Sequence, residues 1–547
     1  MTPWAAPALL VAGVVALYAP SLGNGFVYDD HEVIVDQPRP AGVADLGRVF
    51  TEPHFRGLPY YRPVTRATLL AQKGLHGDQP WAFRLVNAAL LGGAAVLAFA
   101  LLGALGVARA PALGAAALFA LHPVASSCVL PIASGRETLL PGLLILATLV
   151  AWVRGRRGAA TVAFALALFA REQAIVVPLL CALADGCRVS ADPPQPRAGP
   201  WVRRQAPLLL VAVFYLVVRQ RVLGSFDYEL AVLADPLAPL LSLAYGLQVA
   251  VAPFSALVYE PELRVWLSPL RLAAALLAGA GLALAARRLG SPSLGVALFW
   301  LGWFVATQLP TANLLRQEAL FAERYAFLAI LAPLALAAAA LSAGWGEARL
   351  RRGALAAAVA LGVVGAGVSM GRAPWFDGDR VFAEQWLRTN PRSPDAHHLL
   401  ALTLAREGRL EQALPHYDAA LAGSLRPVDL RVNRGAALLA LGRGGEAERD
   451  FHAALGLDPE HPEAHSNLGV LRARQGRLED AIGHYRAALR VAPGSAEAHN
   501  NLGSALARLG RLSEAVAHFA EALRLRPGYA DALRNLELAR ARSDPTR

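Results

Sequence analysis

Long stretches almost free of charged residues dominate the first two thirds of the chain. Each is about 17 to 25 residues long, enough for a helix to cross a ~30 Å hydrocarbon layer. We count eleven of them, and the excess of apolar residues lies almost entirely before residue 372. The sequence therefore predicts a membrane domain over residues 1–372. The predicted spans lie near 4–20, 82–104, 112–131, 138–153, 159–185, 201–221, 236–257, 269–286, 292–313, 326–343 and 353–371.

Arginines in the short loops predict the orientation, because Arg-rich short loops favour the cytoplasmic side. Those at 154–157, 287–288 and 349–352 fall in loops of the same parity. Eleven spans then place the N-terminus in the cytoplasm and the C-terminal part on the outer, periplasmic side of a cell inner membrane. The arginines between 188 and 204 do not fit this pattern, so the segment 159–204 is alternatively two short half-helices.

From residue 394 the sequence repeats with a period of 34, the length of a tetratricopeptide (TPR) helix-turn-helix unit. Four frames predict four repeats over 394–529, preceded by a connecting helix at 373–393 and followed by a capping helix and tail at 530–547. The predicted fold class is all-α, a polytopic membrane helix bundle followed by a TPR α-solenoid. Two sets of matching residues recur every 34 positions. They are the alanines Ala413, Ala447, Ala481 and Ala515 and the aromatic residues Tyr417, Phe451, Tyr485 and Phe519.

One column in the repeats is not required by the fold. It places four amides along the inner helices, and each amide offers a donor and an acceptor to a peptide backbone. We therefore predict that this asparagine column binds an extended polypeptide acceptor; the alternative is hydrogen bonding between repeats. The column consists of Asn433, Asn467, Asn501 and Asn535.

Composition argues against several other functions. The net charge is +11, but the arginines are scattered rather than gathered in a basic stripe, so we predict no nucleic-acid partner. Three cysteines are too few for a disulfide framework or a zinc site. His461 and His465 stand four apart, yet the 34-residue period explains His465 better than metal binding does, so no metal site is predicted. The bias toward Ala, Arg, Gly and Leu is typical of a GC-rich bacterial genome.

Two adjacent acids follow the first apolar stretch, in the longest loop of the membrane domain, 21–81. Asp29 and Asp30 repel each other, and partial burial raises the pKa of such a carboxyl toward that of a general base. The alternative is a solvated turn. Charged residues at membrane boundaries are costly and are candidates for function.

An ordered set of short motifs resembles the transmembrane and tetratricopeptide-repeat family of protein O-mannosyltransferases. The first is the string N-G-F-V-Y-D-D-H-E at 24–32, with Y-R-P-V-T at 61–65 in the same loop. H-P at 122–123, G-R-E-T-L-L at 135–140, R-E-Q-A-I at 171–175 and A-E-R-Y at 322–325 follow in the same order. The resemblance covers nearly the whole chain.

This resemblance implies a C-type glycosyltransferase membrane fold with its active site in the first outer loop. Asp29 and Asp30 would be the catalytic acids, and the sugar donor would be linked to polyprenyl phosphate. Boundary arginines and their neighbouring glutamates would bind the departing phosphate; otherwise the adjacent pairs only anchor helix ends. These residues are Arg62, Arg136, Glu137, Arg171, Glu172, Glu323 and Arg324.

The leading hypothesis is therefore an inverting membrane glycosyltransferase that moves a mannose-like sugar to Ser or Thr hydroxyls of a protein. One rival is a non-catalytic TPR scaffold anchored in the bilayer; another is transfer to a lipid or cell-wall glycan. Arg84 stands where the family pattern has histidine, and Val124 to Ser127 after His122-Pro123 lack the expected acid. Sugar and acceptor stay open for this reason, and the sequence does not decide on a divalent metal or an oligomeric state.

Overall fold

The computed structural model divides the chain into two compact units, residues 1–390 and 391–547. The described residues of both units form helices and turns and contain no strand, which confirms the predicted all-α class. The described residues are 5–40, 42–54, 60–187, 189, 198–224, 238–251, 273, 294–311, 322–343, 345–424 and 427–543.

The described part of the N-terminal unit is built mainly from apolar helices. Its helices are α1 Ala5–Tyr18, α2 Pro63–His76, α3 Pro80–Ala104, α4 Arg109–Leu121, α5 Pro123–Val129, α6 Ala133–Val153, α7 Arg157–Ala170, α8 Val177–Gly186, α9 Ala198–Leu223, α10 Ala238–Val251, α11 Leu294–Gln308, α12 Leu331–Ala343, α13 Ala348–Arg372 and α14 Asp379–Thr389. The last of these covers part of the predicted connector, and it belongs to the N-terminal unit.

Six described helices are long and apolar enough to cross a membrane, or seven if the bent pair α4 and α5 is one span. These helices mark the unit as membrane-associated. The count of eleven and the orientation that depends on it stay predictions. The predicted span 269–286 and the arginines at 287–288 lie outside the described residues, apart from position 273.

Two of the predicted spans are broken. The helix over 112–131 bends by 54° between Leu121 and Pro123, because proline removes a backbone donor and its ring excludes a straight helix. The segment 159–185 is interrupted at Arg171, whose φ of −161° and ψ of 134° are extended. The structure thus has two shorter helices where we predicted one span, the alternative that the arginine pattern had suggested.

The loop after α1 is folded rather than extended. It contains one turn of π-helix at His31–Val35 and a short helix at Val43–Gly47, then leads into α2. Val33 and Ile34 are buried against Leu69 of α2, Phe83 of α3 and Ile132 just before α6. Burial of these apolar side chains fixes the loop on the helix ends.

The C-terminal unit is a series of helix pairs. Its helices are α15 Pro394–Arg406, α16 Leu410–Gly423, α17 Pro427–Ala440, α18 Gly444–Leu457, α19 Pro462–Arg474, α20 Leu478–Val491, α21 Ala496–Arg508, α22 Leu512–Leu525 and α23 Ala530–Ser543. The aligned alanines are fully buried. The turns within the pairs contain glycines with φ of 77° to 79°, which only glycine adopts freely: Gly408, Gly442, Gly476 and Gly510.

The two helices of a pair approach closely at a glycine. A Cβ added to Gly469 would lie 2.6 Å from a ring carbon of Tyr485, and one added to Gly435 would lie 2.6 Å from Phe451. Gly503 meets Phe519 in the same way, at 2.8 Å. Phe451, Tyr485 and Phe519 therefore pack directly on the backbone of the partner helix.

Candidate active site

Asp30 is buried and its carboxylate is fully engaged by backbone N–H groups. Ala133 donates to Oδ1 at 2.6 Å, while Val27 and Ile132 donate to Oδ2 at 3.1 and 3.4 Å. Ala133 is the first residue of α6, so the acid satisfies donors at a helix N-terminus, where negative charge is favoured. Asp30 thus ties the first loop to α6.

Asp29 lies beside it in a different environment. The residue is partly exposed, and no described residue forms a hydrogen bond with its carboxyl group. Protein atoms crowd the group, and this burial, reinforced by the charge of Glu137, raises the pKa of Asp29 to about 8. The charge of Arg324 acts in the opposite direction. A carboxyl group that titrates near neutral pH, and whose oxygens form no hydrogen bond with a described residue, is suited to general-base chemistry.

Arg62 joins two glutamates that come from different helices. Its Nη1 lies 2.5 Å from Oε2 of Glu137, and its Nε and Nη2 lie 3.0 and 2.5 Å from the carboxylate of Glu172. His54 Nε2 lies 2.7 Å from the other oxygen of Glu137. The buried charges of Arg62 and Glu137 need such paired and hydrogen-bonded partners. This cluster fixes the Arg62 end of the loop on α6 and on the break after α7.

Arg171 and Arg324 line one pocket together with Glu137 and Tyr325. Both guanidinium groups face the Tyr325 ring, at 5.5 and 5.4 Å from its centroid. Arg171 donates from Nη1 to the Glu137 carbonyl and the Thr138 hydroxyl, both at 3.1 Å. Its Nε is buried and has no hydrogen-bond partner among the described residues. Two cations with an unused donor form a site that fits an anionic oxygen group.

The other predicted site residues lie elsewhere. Arg136 is buried and donates to the neutral side chains of Asn87 and Gln72, at 2.7 and 2.8 Å. Glu323 pairs with Arg372 at the end of α13, at 3.0 Å. Each glutamate of the adjacent Arg–Glu motifs therefore pairs with a distant arginine, Arg62 or Arg372, and not with the arginine beside it in the sequence.

Three residues of this region were not predicted as site residues from the sequence: His54, Arg84 and Arg372. Arg84, noted only as a departure from the family pattern, donates to the carbonyl oxygens of Asn24 and Gly25 and, at 3.0 Å, to that of Leu130. It therefore holds the turn that precedes Asp29. Its position within an apolar helix was a usable signal, because a buried arginine needs acceptors.

The four asparagines of the repeat column are partly exposed; three lie on the first helix of a pair, and Asn535 lies on the last helix, α23. Asn535 donates to Asn500 at 2.9 Å, and Asn433 lies 3.4 Å from Nε2 of His398. The side chains of Asn467 and Asn501 form no hydrogen bond with a described residue. Two of the four amides are thus available to a ligand, and two are engaged within the repeats.

Among the described residues, no group of three or more His, Cys, Asp or Glu side chains could hold a metal ion.

Comparison with known proteins shows to which repeat family the C-terminal unit belongs. Residues 380–427, 432–496 and 471–530 match the tetratricopeptide repeat family. The C-terminal helix pairs are tetratricopeptide repeats. The matched residues include Asn433, Asn467 and Asn501 of the asparagine column, and Asn535 follows in α23.

Solved TPR proteins show similarity to about a third of the chain. TTC0263, a thermophilic TPR protein of Thermus thermophilus, is 24% identical, with 34% of this chain and 95% of that chain covered and a TM-score of 0.27. YrrB, a TPR protein with an unusual peptide-binding site, is 22% identical, with 30% and 83% covered and a TM-score of 0.25.

A curated relative is the protein O-mannosyl-transferase Tmtc2 of Drosophila melanogaster. It is 30% identical over 194 residues, which cover 31% of this chain and 20% of that protein. The aligned part is thus about a fifth of the relative's length. The chain is a membrane-associated TPR protein with similarity to part of a protein O-mannosyltransferase.

Proposed function

We propose that the chain is an inverting glycosyltransferase that moves a mannose-like sugar from a polyprenyl-phosphate donor to Ser or Thr hydroxyls of a protein. The observation that carries the proposal is the contrast between Asp29 and Asp30. One carboxyl is bound by three backbone donors, while its neighbour has a free edge and a pKa near neutral. The partial similarity to Tmtc2 supports the same reaction class.

In the proposed reaction the Asp29 carboxylate takes the proton of the acceptor hydroxyl. The hydroxyl oxygen attacks the anomeric carbon from the face opposite the phosphate, and the bond from that carbon to the phosphate oxygen breaks. The electron pair of this bond leaves with the polyprenyl phosphate. Arg171 and Arg324 would stabilise the charge on that leaving group, a role for which preorganised cations are well suited.

The repeats would bring the acceptor. Extended polypeptides bind to the concave faces of solenoid repeats, and the free amides of Asn467 and Asn501 offer hydrogen bonds to a backbone without selecting its side chains. A TPR array supports a polypeptide partner in general. The choice of a protein acceptor rests on this array.

The test uses purified full-length protein in lipid nanodiscs with labelled polyprenyl-phosphate sugars and a Ser/Thr-containing polypeptide. We expect label in the polypeptide, lost when its Ser and Thr are replaced by Ala and lost in the Asp29→Asn variant. Label in a lipid or glycan fraction instead would favour the other acceptor class. No transfer from any donor, with the protein folded, would contradict the enzyme and favour a membrane-anchored scaffold.

A further inference from the structure

Tyr28, the residue directly before Asp29, has an unusual backbone conformation. Its φ is 49°, and among the described residues it is the one non-glycine residue with a positive φ. A side chain with a Cβ is strained there, so neighbouring contacts must hold the conformation. Because Tyr28 adjoins Asp29, its backbone angles set the direction in which the Asp29 carboxyl leaves the chain.

The contacts that hold Tyr28 come from α14, the helix that follows the last apolar helix. The Tyr28 N–H donates to Oδ1 of Asp379 at 2.8 Å. The Tyr28 ring packs edge-on against Trp386, with centroids 5.5 Å apart, and against Phe382 at 6.4 Å. A hydrogen bond and an aromatic contact thus fix both the backbone and the side chain of this residue.

Asp379 reaches the loop at a second point. Its Oδ2 lies 3.1 Å from Nε2 of His31. The Asp379 carboxylate thus contacts Tyr28, before Asp29 in the chain, and His31, after it. The Asp379 side chain is 9% exposed, and it is the first residue of its helix, after Gly378. Asn24 adds a bond from Nδ2 to the Ala373 carbonyl at 2.5 Å.

We propose that Asp379 is a positioning residue for Asp29 that acts through Tyr28, and that α14 is a part of the active site. This inference rests on the proposed function, since it assigns the base that is positioned. Asp379 does not touch the reacting atoms; it selects the backbone conformation from which the carboxyl reaches them. The helix that leads to the TPR array at residue 391 therefore also completes the catalytic loop.

The test is a double-mutant cycle on the full-length protein. Asp379→Ala should lower kcat about 10- to 100-fold while the KM for donor stays within about twofold, because small displacements of a catalytic group have effects of this size. Asp379→Asn should keep most activity, since its amide oxygen still accepts the Tyr28 N–H. In a Tyr28→Gly background, Asp379→Ala should cost little, because glycine adopts a positive φ without support.

A purely structural role for Asp379, as an acid in the first turn of α14, gives a different result. Asp379→Ala would then reduce activity equally in the wild-type and Tyr28→Gly backgrounds, which overturns the proposal. Glu384→Ala is the matched control: this acid lies on the same helix, pairs with exposed Arg380 at 2.9 Å and does not touch the loop. It should leave kcat unchanged.

Amide hydrogen exchange of the segment 26–31 tests, without any enzyme assay, whether the contacts of Asp379 with Tyr28 and His31 hold this segment. Exchange should accelerate in Asp379→Ala and not in Glu384→Ala. Unchanged exchange in Asp379→Ala would contradict the claim that Asp379 holds this segment. Faster exchange with kcat within twofold of wild type overturns the positioning role, and a wild-type protein without transfer activity overturns the proposed function itself.

Discussion

Asp30 accepts the backbone N–H of Ala133 at 2.6 Å, so a carboxylate of the first loop binds the N-terminus of α6. Its neighbour Asp29 forms no such bond with a described residue. The adjacent acids therefore differ in environment: Asp30 holds the loop, and Asp29 is the one proposed as the base. The sequence motif alone does not distinguish Asp29 from Asp30.

The first prediction separates these roles. Asp29→Asn should lower transfer by about 10²- to 10⁴-fold, as expected for removal of a general base, without changing the melting temperature. Asp30→Asn should destabilise the protein by about 1 to 3 kcal/mol, because an amide N–H would face backbone N–H groups that are left without acceptors. Thermal unfolding followed by tryptophan fluorescence checks this, and equal effects of the two changes on stability would contradict it.

The pH dependence of transfer follows from the same carboxyl. The base acts only when ionised, and burial raises the pKa of Asp29 to about 8. The rate should therefore increase as the pH rises through about 8 and then level off. Measurement of kcat/KM from about pH 6 to about pH 9.5, a range that spans this raised value, checks this. A rate that is already constant at the acid end of the range would mean that another group removes the proton.

The proposed phosphate site predicts a contrast between two buried arginines. Arg171 lines the pocket with an unused Nε, whereas Arg136 is surrounded by the neutral acceptors of Asn87 and Gln72. Arg171→Gln should raise the KM for donor about tenfold or more, since hydrogen bonds to charged groups contribute roughly 1.5 to 3 kcal/mol each. Arg136→Gln should leave this KM unchanged and lower only stability. The reverse pattern would place the phosphate near Arg136.

The asparagine column gives a prediction for the acceptor. Asn467→Ala with Asn501→Ala should raise the KM for a polypeptide acceptor about tenfold, because each lost hydrogen bond contributes roughly 0.5 to 1.5 kcal/mol. Hydrolysis of the donor by water should not change. Asn535→Ala is the control, because its amide already donates to Asn500. An unchanged KM in the double variant, with the repeats folded by circular dichroism, would make the column structural.

Histidine pairs predict acid sensitivity in three of the four repeats. In each pair the Nδ1 atoms lie 2.9 to 3.2 Å apart, and burial, followed by the charge of the partner, lowers the pKa of the second histidine. The unfolded chain then binds protons more readily than the folded one, so stability is lost as the pH falls below about 6.5. The pairs are His397 with His416, His465 with His484, and His499 with His518.

The second repeat is the internal control for that prediction. It has Arg431 and Asp450 at the equivalent positions, 3.7 Å apart. Hydrogen exchange at about pH 7 and about pH 5, on either side of the ordinary histidine pKa and corrected for the intrinsic rate, should show weaker protection at the lower pH in the histidine-containing pairs. The change in α17 and α18 should be smaller. Uniform behaviour of all four repeats would contradict the role of the pairs.

The repeat helices were predictable because their determinants are local. Each 34-residue unit contains its own turn glycine and its own aromatic contact, so spacing alone defines the helices. The membrane helices were predictable only in part, because hydropathy detects an apolar segment but does not show whether its helix is continuous or broken. The break at Arg171 comes from a charged residue whose backbone turns to extended angles, and an average of hydropathy over a whole span does not detect it.

The sequence singled out the adjacent acids Asp29 and Asp30, whose role stays a prediction, and it gave no indication of the ion pairs around them. Adjacent Arg136 and Glu137 suggested a pair, yet neighbours on a helix point to different faces. Glu137 instead meets Arg62, which lies 75 residues away in the sequence. Asp379 is 351 residues from Tyr28, and a single sequence contains no signal for such a contact.

The close contact of glycine and aromatic ring in the repeats determines how this array can change in length. Gly469 meets Tyr485 within its own helix pair, and Gly503 meets Phe519 within the next. Because these glycine–aromatic contacts are internal to their helix pairs, gain or loss of a whole 34-residue segment leaves those of the other pairs in place. A larger side chain at Gly469 would force apart one pair of helices and leave the remaining pairs with their own contacts whole. The length of the surface that displays Asn467 and Asn501 can thus vary in steps of one repeat, by duplication or deletion, without redesign of the fold.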